Sequence, residues 1–444
     1  MQKLLVVTSQ YLLKFCHTGA NTRKLLTKPD RREILLNMQS LLNLPFQTRR
    51  RGLAFNEGLP QVALDIGYKT RTNGFAWRGQ FSPQLVESLL MAYCPPGACV
   101  LDPFSGSGTS ILEAAGLGLP AYGFEINPAA WLLTRVYTLC NLSDHERQAA
   151  IEEINLKINQ LWLLRQNEVE NEMRNLAASE GPIGTIVGAL VILMDLFQNK
   201  ITRSHCERIL QKLSQTIREL PFSNEPLTAG RADARDLPLS TASVDFILTS
   251  PPYINVFNYH QHYRKSAEIL GHDLLFVAKS EIGSNRANRG NRFITVTQYC
   301  LDIAAALKEM HRVCKPDARL ILVLGHESKV LGVRFLNSEL VAHIARRTKA
   351  FDLVLNQSRW YTNKFGLRIR EDLLHLQPRE LAATDWETVA RSTAEVALNK
   401  GLRTVMGKNR EALLEAISQV STTQRTPFLN SNEQVKSASH TSSR

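Results

Sequence analysis

The sequence predicts an α/β fold built on a mainly parallel central sheet, with a helical insertion and a helical C-terminal extension. Three observations predict it. A short apolar run, Ala98 to Leu101, leads into a glycine-rich turn, a helix and a second apolar run, AYGFEI, which together read as a βαβ unit. After Glu225-Pro226 the same alternation resumes, with strands at Val244 to Thr249 and Arg319 to Leu324 and a helix from Tyr299 to Val313. Between these halves the pattern changes: Ile151, Ile154, Ile158 and Leu161 recur at spacings of three and four, which puts them on one helical face.

The elements follow in order. Residues 1–73 form an N-terminal extension whose Arg49-Arg50-Arg51 cluster reads as a solvated basic face. Residues 74–140 open with a polar aromatic loop, FAWRGQFSP. A helix carrying Leu85, Leu89 and Leu90 and a Pro-Pro-Gly turn then precede the βαβ unit. Residues 141–226 are the helical insertion. Ser143 and Glu146 make a capping-box pair, and the last helix is basic through Arg203, Arg208, Lys212 and Arg218. Residues 227–378 hold the second α/β half, including a helix at Val341 to Arg347 and strands around Phe351 to Leu355 and Asp372 to Leu376. Residues 379–420 read as helical, and 421–444, rich in Ser, Thr, Asn and Gln, as a disordered tail.

Composition excludes several classes. With 44% hydrophobic and 21% charged residues, the 444-residue chain can bury a large core and is not a disordered protein. The longest nearly apolar stretch, Ile186 to Phe197, is broken by Asp195 and too short to span a bilayer, so no membrane partner is expected. The segment MQKLLVVTSQYLLKF lacks a small-residue cleavage site, and no signal peptide is expected. Seven Cys without a Cys-x-x-Cys pair give neither a disulfide framework nor a zinc site. The expectation is a reducing, cytoplasmic setting and no metal. Lys and Arg, 53 in all, exceed the 41 Asp and Glu by 12, which favours a polyanionic partner.

Two constellations carry chemistry. The first runs from Asp102 through Phe104, Gly106 and Gly108 to Thr109, between a strand and a helix. Glycines there let a ligand approach the backbone where a Cβ would collide with it, so the turn is a candidate cofactor pocket. Glu125 ends the next strand, where a carboxylate can accept hydrogen bonds from both hydroxyls of a ribose. Taken alone, the glycines are equally explained by tight strand-to-helix packing. Asp233, in ADARDLPL, stands where an acid can accept from an exocyclic amine of adenine; in isolation it reads better as a turn residue.

The second constellation is Ser250-Pro251-Pro252-Tyr253, directly after the strand Val244 to Thr249. Consecutive prolines fix φ and remove two backbone donors, leaving carbonyls that only accept. Ser250 Oγ and the Pro251 carbonyl suit a substrate amine, and Tyr253 offers a flat face to an aromatic base.

DPFSGSGT followed by FEINP, DARDLP and TSPPY, with QFSP upstream, resembles the S-adenosylmethionine-dependent amino-methyltransferases of nucleic acids, particularly the DNA N4-cytosine enzymes of the Ser-Pro-Pro-Tyr subgroup. The resemblance covers roughly residues 75–135 and 228–378. It implies a Rossmann-like methyltransferase fold in which 74–140 is the cofactor-binding half and 227–378 the catalytic half. It further implies that Phe81 lies against S-adenosyl-L-methionine, that Asp102, Gly106 and Gly108 hold its methionine part, Glu125 its ribose and Asp233 its adenine. Ser250, Pro251, Pro252 and Tyr253 would form the catalytic loop. N6-adenine members usually carry Asp or Asn at the position of Ser250, which tilts the target toward cytosine. The segment NKFGLRIREDLLHLQP resembles the family's closing strands. The cofactor motif precedes the catalytic loop here, the reverse of the commonest order in the subgroup. Double-stranded DNA is the implied partner, and a companion restriction endonuclease goes with a modification enzyme.

An exocyclic amine is a poor nucleophile because its lone pair is delocalised into the ring, and a catalyst must favour a pyramidal nitrogen by accepting its hydrogens. Attack on a sulfonium methyl then needs alignment rather than covalent help. A base inside a duplex cannot reach such a pocket and would be flipped out. INVFNYHQHYRK, SNRANRGNR and the insertion's basic helix are the candidate DNA contacts. The competing readings are an N6-adenine enzyme, an RNA or tRNA base methyltransferase, a catalytically silent DNA-binding relative, and a nuclease using Asp317, Glu327 and Lys329.

Overall fold

The structure, a computed structural model, describes residues 54–429 apart from 68, 197–200, 255–258, 285–287, 289, 364 and 381–383. The Arg49–Arg51 cluster, Phe257, Arg286 and Arg289 lie outside the described residues.

The chain opens with α1 (Gln61–Asp65) and α2 (Pro83–Tyr93), then β1 (Val100–Asp102), α3 (Thr109–Gly116), β2 (Ala121–Phe124) and α4 (Pro128–Arg135). The insertion holds α5 (Asp144–Leu161), α6 (Gln166–Ala178), α7 (Gly181–Leu193) and α8 (Arg203–Arg218). There follow β3 (Leu227–Gly230), β4 (Val244–Thr249), α9 (Arg264–Ile269), α10 (Leu274–Ser280) and α11 (Ile294–Val313). The last part contains β5 (Cys314–Gly325), a hairpin of β6 (Glu327–Val330) and β7 (Val333–Leu336), α12 (Asn337–Arg347), β8 (Phe351–Thr362), β9 (Arg368–Pro378), α13 (Trp386–Gly401) and α14 (Lys408–Ser418).

Seven strands form one sheet in the order β3-β2-β1-β4-β5-β9-β8. The first five are parallel; β9 runs antiparallel to β5, and β8 antiparallel to β9. Parallel strands covered on both faces read as continuous apolar runs, and from Ala318 to Gly325 every residue of β5 is buried. Alternate residues enter different cores. Val100, Phe246, Leu248, Ile321 and Val323 join the cluster that contains the insertion, whereas Leu101, Ile247, Leu320 and Leu322 join the one formed with α11 to α14.

The chain leaves β1 toward β2 and β3 on one side, then returns to β4 on the other. Neighbouring strands whose connections depart in opposite directions open a crevice at their carboxyl ends, where ligands bind in open α/β sheets. The two motifs stand at that switch point, one after β1 and one after β4.

Local signals explain the insertion. Ser143 and Glu146 cap α5 reciprocally, and Ile151, Ile154, Ile158 and Leu161 are all buried. The apolar run too short for a membrane is α7, buried from Gly184 to Ile192 between α4, α5 and α6. Among the described residues no helix is long and apolar enough to cross a membrane. Several boundaries differ from expectation, and β5 and α12 start five and four residues before Arg319 and Val341. α11 starts five residues before Tyr299, and β8 and β9 continue past their expected ends as a long antiparallel hairpin. The tail expected to be disordered from residue 421 instead docks through 429, burying Thr423, Thr426 and Leu429.

Candidate active site

Asp102, the last residue of β1, is 1% exposed. Its Oδ2 accepts a 2.6 Å bond from Ser110 Oγ, and its Oδ1 accepts from Thr249 Oγ1 at 2.6 Å and from Phe104 N at 3.1 Å. Burial pushes its carboxyl up to about 6, against the opposing effect of those three bonds. Glu125 clasps the glycine turn: Oε2 accepts from Gly106 N and Oε1 from Asn127 N, each at 2.9 Å. Burial lifts it to about 7, with smaller upward contributions from Asp102 and Glu281.

The two glycines differ in purpose. Gly106 (φ +53°) faces Trp77, whose ring atom would stand 3.4 Å from an added Cβ. At Gly108 (φ +87°) a Cβ would come within 2.7 Å of Tyr137 and 2.9 Å of Thr134, so this glycine serves close helix packing beneath the turn.

Ser250 Oγ donates to the Val323 carbonyl at 2.9 Å. With its proton directed there, the oxygen's lone pairs remain as acceptors. The Tyr253 hydroxyl stands 3.4 Å from it, and the Tyr253 ring lies flat against Gly325, where a Cβ would be only 2.7 Å from Cε2. Burial, reinforced by Glu371, raises the Tyr253 hydroxyl well above its ordinary value and keeps it neutral.

One cleft collects these groups. Phe81, Asp102, Phe104, Gly106, Thr109, Glu125, Asp233, Ser250 and Pro252 line it; Gly108, Pro251 and Tyr253 do not. It encloses about 870 Å³, open solvent at its mouth included. That suits a nucleoside-sized ligand.

Asp233 lines the cleft, but its oxygens are engaged elsewhere. Oδ1 accepts from Arg235 N (3.0 Å) and Nε (2.8 Å), and Oδ2 from Arg235 Nη2 (2.6 Å) and Leu429 N (3.3 Å). Four donors match the roughly four acceptor positions of a carboxylate, so the acid is occupied by structure. Arg235 also binds Asp302 at 2.7 Å and the carbonyls of Thr426 (3.1 Å) and Pro427 (2.9 Å), with Phe428 stacked 4.7 Å from its guanidinium. The docked C-terminal segment thus closes a buried charge cluster behind the cleft.

Sequence reasoning missed several lining residues: Trp77, Arg78, Gln80, Tyr259 and Glu281. Trp77, Arg78 and Gln80 sit in the FAWRGQFSP loop, and the density of aromatic and polar residues there was the available signal. Gln80 Nε2 reaches Ser107 Oγ at 2.6 Å, and Thr109 Oγ1 reaches Asn73 at 3.0 Å, so this loop is tied across the glycine turn. Trp77 stacks with Tyr259 and Tyr263 at centroid distances of 6.4 and 6.3 Å. Glu281 Oε2 lies 2.8 Å from Nδ1 of the buried His260, a pairing 21 residues apart that no local pattern announces.

The candidate DNA segments are partly absorbed by the fold. His260 and Tyr263 of INVFNYHQHYRK are buried, and Arg264 pairs with Glu268 at 2.6 Å. Asn291 of SNRANRGNR is buried against the Ala412 carbonyl and Glu415. Asp317 is exposed on β5, and Glu327 pairs with Arg334 across the β6–β7 hairpin. Among the described residues no group of three His, Cys, Asp or Glu is placed to hold a metal ion.

Four carboxylates line the cleft, against one cationic side chain among the described lining residues, Arg78. Ser105 Oγ, Asn127 Nδ2, Ser280 Oγ and Glu281 Oε1, all on lining residues, are buried without a protein partner. This lining fits a ligand that is cationic and rich in hydroxyl and amine donors.

Comparison with known proteins gives three findings. Residues 59–134 match the DNA methylase family of N6 and N4 methyltransferases. The chain is 37% identical over 60 residues to the Type II methyltransferase M.MjaII of Methanocaldococcus jannaschii, a match that covers 14% of this chain and 11% of that protein. Both matches are short. Among solved structures, a SAM-dependent methyltransferase from Methanosarcina mazei aligns at 13% identity and a TM-score of 0.31 over 65% of this chain and 96% of its own. The rRNA methyltransferase aviRa of Streptomyces viridochromogenes aligns at 14% and 0.29 over 73% and 96%.

Proposed function

We propose, for a chain that residues 59–134 assign to the DNA amino-methyltransferase family, that it transfers a methyl group from S-adenosyl-L-methionine to the exocyclic amine of a base flipped out of duplex DNA. The target we favour is N4 of cytosine. The observation that carries the reading is that Asp102 and Ser250, from motifs 148 residues apart in sequence, line one cleft and are joined through Thr249.

The lining fits the donor. Glu125 has lone pairs left for ribose hydroxyls after its two backbone bonds, the carboxylates complement a cationic ligand, and Gly106 leaves room for close approach. When bound, the donor supplies an electrophilic methyl group on a sulfonium. The protein's own residues do the rest. Ser250, its proton held by the Val323 carbonyl, accepts a hydrogen of the target amine and favours the pyramidal nitrogen that can attack. Trp77 and Tyr259 line the same cleft with flat faces for the base, and Tyr253 braces Ser250 from behind. As the N–C bond would form, the bond from the methyl to the sulfonium sulfur would break to leave a neutral thioether, and the amine, made acidic, would shed one proton to water, so no strong base is required.

Ser250 in place of an acid supports cytosine over adenine, and the excess of 12 positive charges supports a nucleic-acid partner. Mass analysis of nucleosides from cells expressing the chain tests this reading. N4-methylcytosine in DNA is the expected product. N6-methyladenine would remove the cytosine assignment, and a methylated nucleoside confined to RNA would remove the DNA assignment.

A further inference from the structure

The β8–β9 hairpin outruns the sheet. The last pair that β9 makes with β5 is Glu371 with Gly325, yet β8 and β9 remain paired through Trp360–Arg370, Tyr361–Ile369 and Thr362–Arg368. Three further pairs at about 3.3 Å each carry the hairpin about 10 Å beyond the carboxyl edge of the sheet. That is the edge from which the catalytic loop emerges, and Gly325, at the hairpin's base, is the residue on which the Tyr253 ring rests.

The tip is rigid. Asn363 Oδ1 accepts from Phe365 N at 2.9 Å and Leu367 N at 3.0 Å, Asn363 N donates to the Leu367 carbonyl at 2.9 Å, and Gly366 takes φ +77° to close the turn. It is also apolar and open: Phe365 is 75% and Leu367 61% exposed. Large apolar side chains exposed together at a projecting turn mark a candidate contact surface. Below the tip Arg359 pairs with Glu371 at 2.7 Å and Arg370 with Asp372 at 2.9 Å, which leaves Arg368 as the exposed arginine of the two strands. From Arg359 to Arg370 the sequence holds three Arg and a Lys and no acid, with the Arg368 guanidinium 4.6 Å from the Trp360 ring.

Removing a base from a duplex leaves a gap that its neighbours cannot fill, and proteins that open base steps commonly insert apolar side chains there. Resting on the DNA reading above, we propose that the hairpin tip is the wedge. Phe365 and Leu367 enter the duplex beside the flipped base, and Arg368 lies against the flanking phosphates. The projecting arm, the exposed apolar side chains at its tip and the exposed Arg368 beside them fit duplex DNA together.

The test is tritium transfer from labelled S-adenosylmethionine to native genomic DNA, with cofactor affinity measured by calorimetry and the salt dependence of DNA binding by anisotropy. Phe365→Ala with Leu367→Ala is expected to lower kcat/KM on native DNA by about tenfold or more, with cofactor affinity and the salt slope unchanged, because no phosphate contact is lost. Arg368→Ala is expected to reduce the salt slope by about one. Transfer equal to the parent protein's would overturn the proposal, as would an equal fall in cofactor affinity, since the tip would then act through the fold. If the parent protein transfers no methyl group to DNA, the methyltransferase reading falls and the wedge with it. If the parent is active and the double variant equals it, the wedge alone falls.

Discussion

Thr249 Oγ1 donates a 2.6 Å hydrogen bond to Asp102 Oδ1, joining the end of β4 to the end of β1. Both side chains are buried, so the bond is shielded from water and ties the glycine turn to the diproline loop. Thr249→Val keeps the shape and removes the donor. The loss expected is about 1–3 kcal/mol of stability, with weaker cofactor binding, because Asp102 loses one of three partners. Urea denaturation and calorimetry check both; unchanged cofactor affinity would separate the bond from the site.

Cofactor binding is expected to strengthen as pH rises. Burial holds Asp102 and Glu125 protonated up to about 6 and about 7, well above their ordinary values of 3.8 and 4.5. Between those limits the folded protein binds protons that the unfolded chain has lost, so these two groups make the free protein less stable as pH climbs from about 4 to 7. A cationic ligand favours the ionised forms. Affinity should therefore rise between about pH 5.5 and 8, with protons released on binding near pH 6.5. Calorimetry in buffers of different ionisation enthalpy reads that release, and a flat profile would contradict it.

Tyr253 can be moved without being mutated. Gly325→Ala would put a Cβ 2.7 Å from the tyrosine ring, which must tilt and disturb Ser250. Methyl transfer should drop by about tenfold or more while cofactor affinity stays within about twofold, as also for Ser250→Ala and Tyr253→Ala. Full activity in the alanine variant would show that the ring's position is immaterial.

Arg235 joins Asp233 and Asp302, and all three side chains are at most 2% exposed. Arg235→Ala strands two buried acids, and a loss of about 3–5 kcal/mol in stability is expected. Chemical denaturation measures it. A loss below about 1 kcal/mol would mean that water or protonation compensates the acids.

The site was legible where chemistry sits in short runs at strand ends. Asp102, Glu125 and Ser250 announced themselves through the glycine turn and the prolines beside them, and the βαβ pattern placed them on one sheet edge. Asp233 illustrates the opposite case. Its neighbour Arg235 was visible in ADARDLPL, but the Thr426 and Pro427 carbonyls that complete the cluster come from 191 and 192 positions away, in a segment whose polar composition reads as disorder. The His260–Glu281 pair and the Trp77–Tyr259 stack are likewise products of tertiary closure, which carries no periodic trace in sequence. The hairpin was half visible: the runs Phe351 to Leu355 and Asp372 to Leu376 marked its two strands, while its overhang beyond β5 is a matter of register.

The crevice depends on β1 and β4 being neighbours in the sheet, and on nothing about which of them is synthesised first. The helical insertion lies in the connection from β2 to β3, not in the pairing of β1 with β4. A gene rearranged to encode the diproline half ahead of the glycine half would therefore rebuild the same cavity. On the proposed function, the order in which the two motifs occur along this chain therefore places no constraint on the cavity they form together.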